Sequence, residues 1–244
     1  MTEASTSLYV LRNVAKSRLA NGSAFELCIE SLEIRSGSVL AITGESGSGK
    51  STLLDMLALG LRPDRGTEFR FRPSPNVDVD ILSSWAAWSD AALGRLRLNH
   101  LGYVLQTGGL LPFLTVADNI ALPSRLRGTY LKERVHALAE RLGIADQLAK
   151  HPAELSIGQR QRAAIARALV HNPALVLADE PTASADPATG DVIMETILDM
   201  IQASGATLVL ATHDLRRVAE LGLPRLRIEL ERHAGGTFAR AVAT

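Results

Sequence analysis

Cysteine is nearly absent: one residue, Cys28, in 244. That excludes an internal disulfide and fits a reducing compartment. Cys28 lies in an apolar, strand-like stretch and reads as a small core residue. Net charge is absent too, with 26 basic against 26 acidic residues. No global field therefore draws the chain to nucleic acid or to an anionic membrane, although local patches stay open. Long hydrophobic runs are missing: no stretch of about 18 apolar residues occurs, so nothing in the sequence spans a bilayer. The start, Met1-Thr2-Glu3-Ala4-Ser5-Thr6-Ser7, has neither the charged nor the apolar region of a secretory signal. Aromatics amount to 4%. The pair Trp85 and Trp88, spaced as on one helical face, lacks the basic neighbourhood that base stacking needs and reads as packing. There is no internal repeat and no low-complexity segment. What remains, 46% hydrophobic residues in a chain of this length, suffices for a sizeable core in one large domain or two small ones.

Against this background, Gly44-Glu45-Ser46-Gly47-Ser48-Gly49-Lys50-Ser51-Thr52 matches the pattern G-x-x-x-x-G-K-[ST]. The short apolar run Val39–Thr43 before it reads as a buried strand, and Thr52–Leu59 after it has apolar residues at helical spacing. Strand, glycine loop and helix wrap backbone N–H groups around phosphates and aim a helix N-terminus at them. Lys50 is placed to reach the β- and γ-phosphates, and the Ser51 hydroxyl to ligate Mg²⁺, which takes few protein ligands. The chain is expected to bind a nucleoside triphosphate.

The flanking pattern supplies the rest of a phosphate site. Leu8–Val14 and Phe25–Ile34 alternate apolar and polar residues and read as antiparallel strands around a loop at Asn21-Gly22. Arg62–Asp80, rich in Pro, Gly, Asp and Arg, reads as a variable loop region. Amphipathic helices are expected over Leu131–Leu142, closed by Gly143, and over Ile157–Val170. Ala174–Ala178 and Thr207–Ala211 read as buried strands separated by a helix over Pro187–Ala203, and Arg225–Val242 as a hairpin turning at Gly235-Gly236. Such alternation predicts a parallel sheet with ligands beyond the carboxyl ends of its strands. Asp179 and Glu180 sit at one such end and His213 at the next. Adjacent residues on an extended chain face opposite ways. Asp179 is thus expected to steady magnesium, Glu180 to polarise the attacking water, and His213 to contact the γ-phosphate. The other histidines show no metal-ligand spacing. Ser156 with Gln159 forms a capping-box start with a glycine, Gly158, in the first helical turn. This is a second phosphate-binding helix terminus beside only one glycine loop. A head-to-tail homodimer, each copy completing the other's site, accounts for the mismatch.

With these motifs in this order, the chain resembles the ATPase subunit of an ABC transporter over nearly its whole length. The resemblance implies an α/β fold: a P-loop NTPase core with a parallel sheet, an antiparallel β subdomain, and a helical subdomain inserted at roughly 81–170 of a single 1–244 domain. It identifies Gly44–Thr52 as the Walker A loop and Gln106 as the Q-loop glutamine, a further Mg²⁺ contact. Leu155-Ser156-Ile157-Gly158-Gln159 becomes the signature, Leu175–Asp179 Walker B with catalytic Glu180, Ser184-Ala185-Asp186 the D-loop, and His213 the switch histidine. Gly102–Gln106 and Leu111–Pro123 are similar to the branch of lipoprotein-releasing, macrolide-efflux and cell-division ATPases. The implied cofactors are ATP and Mg²⁺. The implied partner is a separately encoded permease, with a large extracytoplasmic domain in this branch, engaged from the cytoplasmic face of the inner membrane; nucleic acid is not implied. Whether such a complex moves cargo or signals mechanically stays open at this level. Three departures stand out. Ile157 replaces the signature's first glycine, Ala185 replaces a leucine, and Lys16-Ser17-Arg18 stands where an adenine-stacking aromatic is usual, leaving the Arg18 guanidinium plane to stack instead.

Overall fold

A computed structural model describes residues 7–20, 23–87, 90–183, 185–233 and 236–243. The chain begins with β1 (Ser7–Ala20), β2 (Ser23–Arg35), β3 (Val39–Thr43) and α1 (Lys50–Leu57). Then come β4 (Glu68–Ser74), β5 (Val77–Asp80), α2 (Ile81–Ala86), α3 (Asp90–His100) and β6 (Leu101–Val104). Helices α4 (Val116–Leu126), α5 (Lys132–Arg141) and α6 (Ile157–Leu169) lead to β7 (Leu175–Asp179) and α7 (Pro187–Ser204). The chain closes with β8 (Thr207–Thr212), α8 (Leu215–Glu220), β9 (Arg225–His233) and β10 (Gly236–Ala243). Contacts divide it into two compact units, Met1–Arg95 with Thr207–Thr244, and Leu96–Ala206.

The first unit is a mixed sheet in the order β5-β4-β1-β2-β10-β9-β3-β8. Strand β3 runs parallel to both β8 and β9, as the apolar runs of its sequence predict for buried strands. The β1–β2 pair is antiparallel as expected, with Val14 opposite Ile29, and β9–β10 form the expected hairpin. Asn21, Gly22 and Gly235, where turns are expected, lie outside the described residues, as does Trp88. Helix α2 carries Trp85 and ends at Ala86.

The expected loop over Arg62–Asp80 is a correction: it holds β4 and β5, antiparallel to each other. Composition obscured a period-two signal. Phe69 and Phe71 are fully buried, while Arg70 and Arg72 turn outward to Asp78. The scarce aromatics concentrate here. Tyr9 stacks on Phe71 with ring centroids 4.5 Å apart, and its hydroxyl donates to the Leu57 carbonyl at 2.7 Å. That bond ties β1 to the end of α1, and burial pushes the Tyr9 pKa well up.

In the second unit β6 and β7 pair in parallel, Leu101 opposite Leu175. Val116, Ile120, Val135, Ala139, Ile144 and Ile165 are buried in it. Just past α6, His171 is 5% exposed, and its Nε2 lies 3.0 Å from the Leu101 carbonyl oxygen. A neutral ring donates there, while Nδ1 is buried without a partner. Burial lowers the His171 pKa from 6.5 to about 4. Between these values the unfolded chain takes up a proton that the folded chain refuses, so the stability this residue contributes is lost as pH falls. Stability should drop by up to about 3 kcal/mol from pH 6.5 to 4 through this residue. Urea midpoints measured across that range check it, and His171→Gln, which keeps a donor toward Leu101, should flatten the profile.

Candidate functional site

The glycine loop leaves the end of β3, whose Ala41 and Ile42 are fully buried, and enters α1 at Lys50. Its conformation depends on Gly49, the N-cap of α1, at φ 102. Lys50 is 5% exposed, and its Nζ donates to the Gly44 and Glu45 carbonyls, each at 3.0 Å. The loop therefore arches around its own lysine. First-turn amide N–H groups of a helix have no partner within that helix, so those of Lys50, Ser51 and Thr52 point out of the same end. Ser51 is exposed, and the buried Ser48 Oγ has no hydrogen-bond partner.

Strand register brings His213 to this edge. Thr212 pairs with Thr43, so His213 and Gly44 leave neighbouring strands at the same level. His213 is exposed, and Asp214 after it caps α8 by accepting from the Arg217 N–H.

Arg18, expected to stack on the base, lies on β1. Its guanidinium approaches Asp55 of α1 at 3.6 Å, both side chains being 45% exposed. The residue opposite it in the β1–β2 register is Phe25. That ring is the nearest group to Gly49: a Cβ on Gly49 would lie 2.9 Å from Phe25 Cζ. Phe25 was not singled out from the sequence; its place opposite Arg18 in the strand pairing was the available signal.

The remaining residues lie in the second unit. Four buried residues of β7 deliver Asp179, half-buried at the strand end. Glu180 follows at φ 44, a left-handed conformation that costs an L-residue about 1–2 kcal/mol. Strain of this kind in a non-glycine residue clusters at working sites. Ser156 caps α6 as expected, accepting from the Gln159 N–H at 3.2 Å while Gln159 Oε1 accepts from the Ser156 N–H at 2.9 Å. Ile157, the departure from the signature, is 48% exposed. The side-chain direction of Gly158 faces α7: a Cβ there would sit 3.3 Å from Thr189 Cγ2. Its absent side chain thus serves helix packing, and only its amide is left for an anion. Asp186 caps α7 by accepting from the Thr189 N–H, and the Thr189 hydroxyl and amide hold its carboxyl below the usual range. Ser184 lies outside the described residues.

Gln106 is exposed just beyond β6, at the start of a loop held at two points. Arg167 of α6 donates from Nη1 to the Gly109 carbonyl at 2.8 Å and from Nη2 to the Gly108 carbonyl at 2.9 Å. Asn119 of α4, fully buried, donates to the Leu111, Leu114 and Thr115 carbonyls and accepts from the Leu111 N–H. Between these anchors Phe113 is 73% exposed. Neither anchor was singled out from the sequence.

Among the described residues, no three His, Cys, Asp or Glu side chains cluster as a metal site, and no helix is long and apolar enough to cross a membrane. Ser51, Gln106 and Asp179 offer only oxygen donors, the set a hard cation such as Mg²⁺ takes.

The ABC transporter family model matches residues 29–183. The chain belongs to the ABC transporter family. It is an ATP-hydrolysing, nucleotide-binding subunit of that family. It is 39% identical over 193 residues to the lipoprotein-releasing system ATP-binding protein LolD of Hydrogenovibrio crunogenus, covering 78% of this chain and 79% of that protein. It is 41% identical over 187 residues to the macrolide export ATP-binding/permease protein MacB 2 of Aeromonas hydrophila, covering 75% of this chain but 27% of that much longer protein. A solved ABC cassette, MJ0796, described as a dimer in a post-hydrolysis state bound to ADP and Pi, superposes with a TM-score of 0.75 at 31% identity. The overlap takes in 90% of this chain and 93% of that one.

Proposed function

We propose that two copies of this ABC ATPase close around ATP and Mg²⁺, each glycine loop facing the other copy's signature, and that hydrolysis drives a separately encoded membrane permease. Lys50 and the first-turn amides of α1 hold the β- and γ-phosphates. Ser51, Gln106 and Asp179 are the residues that would hold Mg²⁺, which would neutralise phosphate charge. Glu180 accepts the proton of the attacking water, His213 contacts the γ-phosphate, and Asp186 keeps α7 in place across the dimer. Phe25, beside Gly49, and Arg18 are the groups available to the base. Ser156, Gly158 and Gln159 present the partner's nucleotide with a capped helix N-terminus, and exposed Ile157 is the side chain nearest that junction. Support comes from the dimeric state named for the similar cassette with ADP and Pi, and from the transporter subunits named among the relatives.

The permease reading rests on one observation: Phe113, 73% exposed, on a loop pinned at both ends. With the partly exposed Leu110, Leu111 and Leu114 beside it, Phe113 forms an apolar cluster of the kind that supports a protein partner. By resemblance that partner carries a large extracytoplasmic domain and holds the ATPase at the cytoplasmic face of the inner membrane. Phe113→Asp should release the ATPase from sedimented membranes and leave its melting temperature and basal ATP hydrolysis in place. Membrane association equal to that of the unaltered chain would move the docking surface elsewhere.

A further inference from the structure

Helix α6 carries two things at once. Its N-terminus is the capped signature, and near its other end Arg167 reaches the loop after Gln106. The contact is specific in form. Arg167 spans two successive carbonyls, of Gly108 and Gly109, at 2.9 and 2.8 Å. Those glycines stand at φ 76 and 58, so both carbonyls belong to a left-handed turn that residues with a Cβ adopt only with strain. The turn is closed by the Gly108 N–H donating to the Leu105 carbonyl at 2.8 Å. It sits against α6: a Cβ at Gly108 would lie 3.5 Å from the Arg160 carbonyl oxygen and 3.7 Å from Ala164 Cβ. Burial draws the Arg167 pKa down, as expected of a cation whose partners are carbonyl dipoles. A bidentate, poorly hydrated guanidinium is a stiff link, because both bonds must break together for the turn to slide. Further along the chain, Asn119 fixes the far side of the loop to α4. The loop that carries Phe113 is therefore held at its start to α6 by Arg167 and at its end to α4 by Asn119.

We propose that Arg167 is a positioning residue that makes α6 and the Gln106–Thr115 loop one mechanical unit, carrying movement of the signature end of α6 to the exposed Phe113. The proposal rests on the ATP-dimer reading given above. Arg167 touches neither nucleotide nor water in this scheme; it acts by transmitting displacement, so its loss uncouples the loop from the nucleotide without removing a ligand.

The test uses the full chain with Glu180→Gln to retain ATP, Cys28→Ser to clear the one native thiol, and Phe113→Cys labelled with an environment-sensitive dye. Dimer formation is read by light scattering and loop movement by dye emission, with ATP and Mg²⁺ added. With Arg167 present, dimerisation and an emission change should appear at the same ATP concentration. With Arg167→Ala, dimerisation should persist and the emission change should be lost. Arg167→Lys, which reaches one carbonyl and not both, should recover part of the change, and it serves as the test if the alanine chain fails to fold. An undiminished emission change in either variant, with dimerisation intact, overturns the coupling role and leaves Arg167 a packing residue. A parent chain that binds ATP but stays monomeric overturns the shared-site reading and the coupling role with it.

Discussion

Glu180→Gln should bind ATP as the unaltered chain does and hydrolyse it at least about 10²-fold more slowly. The substitution keeps the size and one acceptor oxygen but removes the charge that draws a proton from water. Nucleotide affinity should survive because the phosphate-holding groups, Lys50 and the start of α1, belong to other residues. The retained ATP should hold two copies together. The left-handed backbone at residue 180 is consistent with this role, because strain in a non-glycine residue clusters at working sites. Single-turnover hydrolysis and light scattering with ATP measure both consequences. A monomer at saturating ATP with normal turnover would refute the role and the shared site together.

Lys50→Ala should weaken MgATP binding at least about 10²-fold, because one buried cation with charge-assisted bonds to phosphate contributes about 1.5–3 kcal/mol per bond. Two effects add. The triphosphate loses its positioned ammonium, and the Gly44 and Glu45 carbonyls lose the donor around which the loop is arched. Calorimetric titration with MgATP reads the loss. Affinity within about threefold of the unaltered chain contradicts the placement of Lys50, since no charge-assisted bond is that weak.

Where local pattern and tertiary placement coincide, the sequence was enough. The strand–loop–helix of the glycine loop, the Ser156–Gln159 capping box, and the helix ended by Gly143 all depend on neighbours close in the chain, and they appear as expected. The β4–β5 pair was missed because Pro and charged residues mask the alternation, while the deciding contact, Phe69 and Phe71 against Tyr9, comes from residues far away in sequence. Long-range contacts also hid the residues around the site. Phe25 meets Gly49 from a distant part of the chain, and Arg167 and Asn119 look like ordinary helix residues until the loop lies against them. Motifs mark which backbone groups meet a ligand; they do not mark which side chains hold the motif in place.

A mixing experiment tests most directly whether the ATP site is shared between copies. Lys50→Ala removes the glycine-loop half of the site, and Ile157→Glu places a carboxylate on an exposed position of the signature, where it repels the partner's phosphates without removing the Ser156 cap. Each chain alone should be inactive. In a mixture, a dimer of one chain of each kind keeps one intact site, made of the glycine loop of the second chain and the signature of the first. An equal mixture should therefore recover roughly a quarter of the unaltered turnover, because random pairing makes half the dimers mixed and each of these keeps one of two sites. A mixture as inactive as its components, with mixed dimers demonstrated, would contradict a site built from two copies.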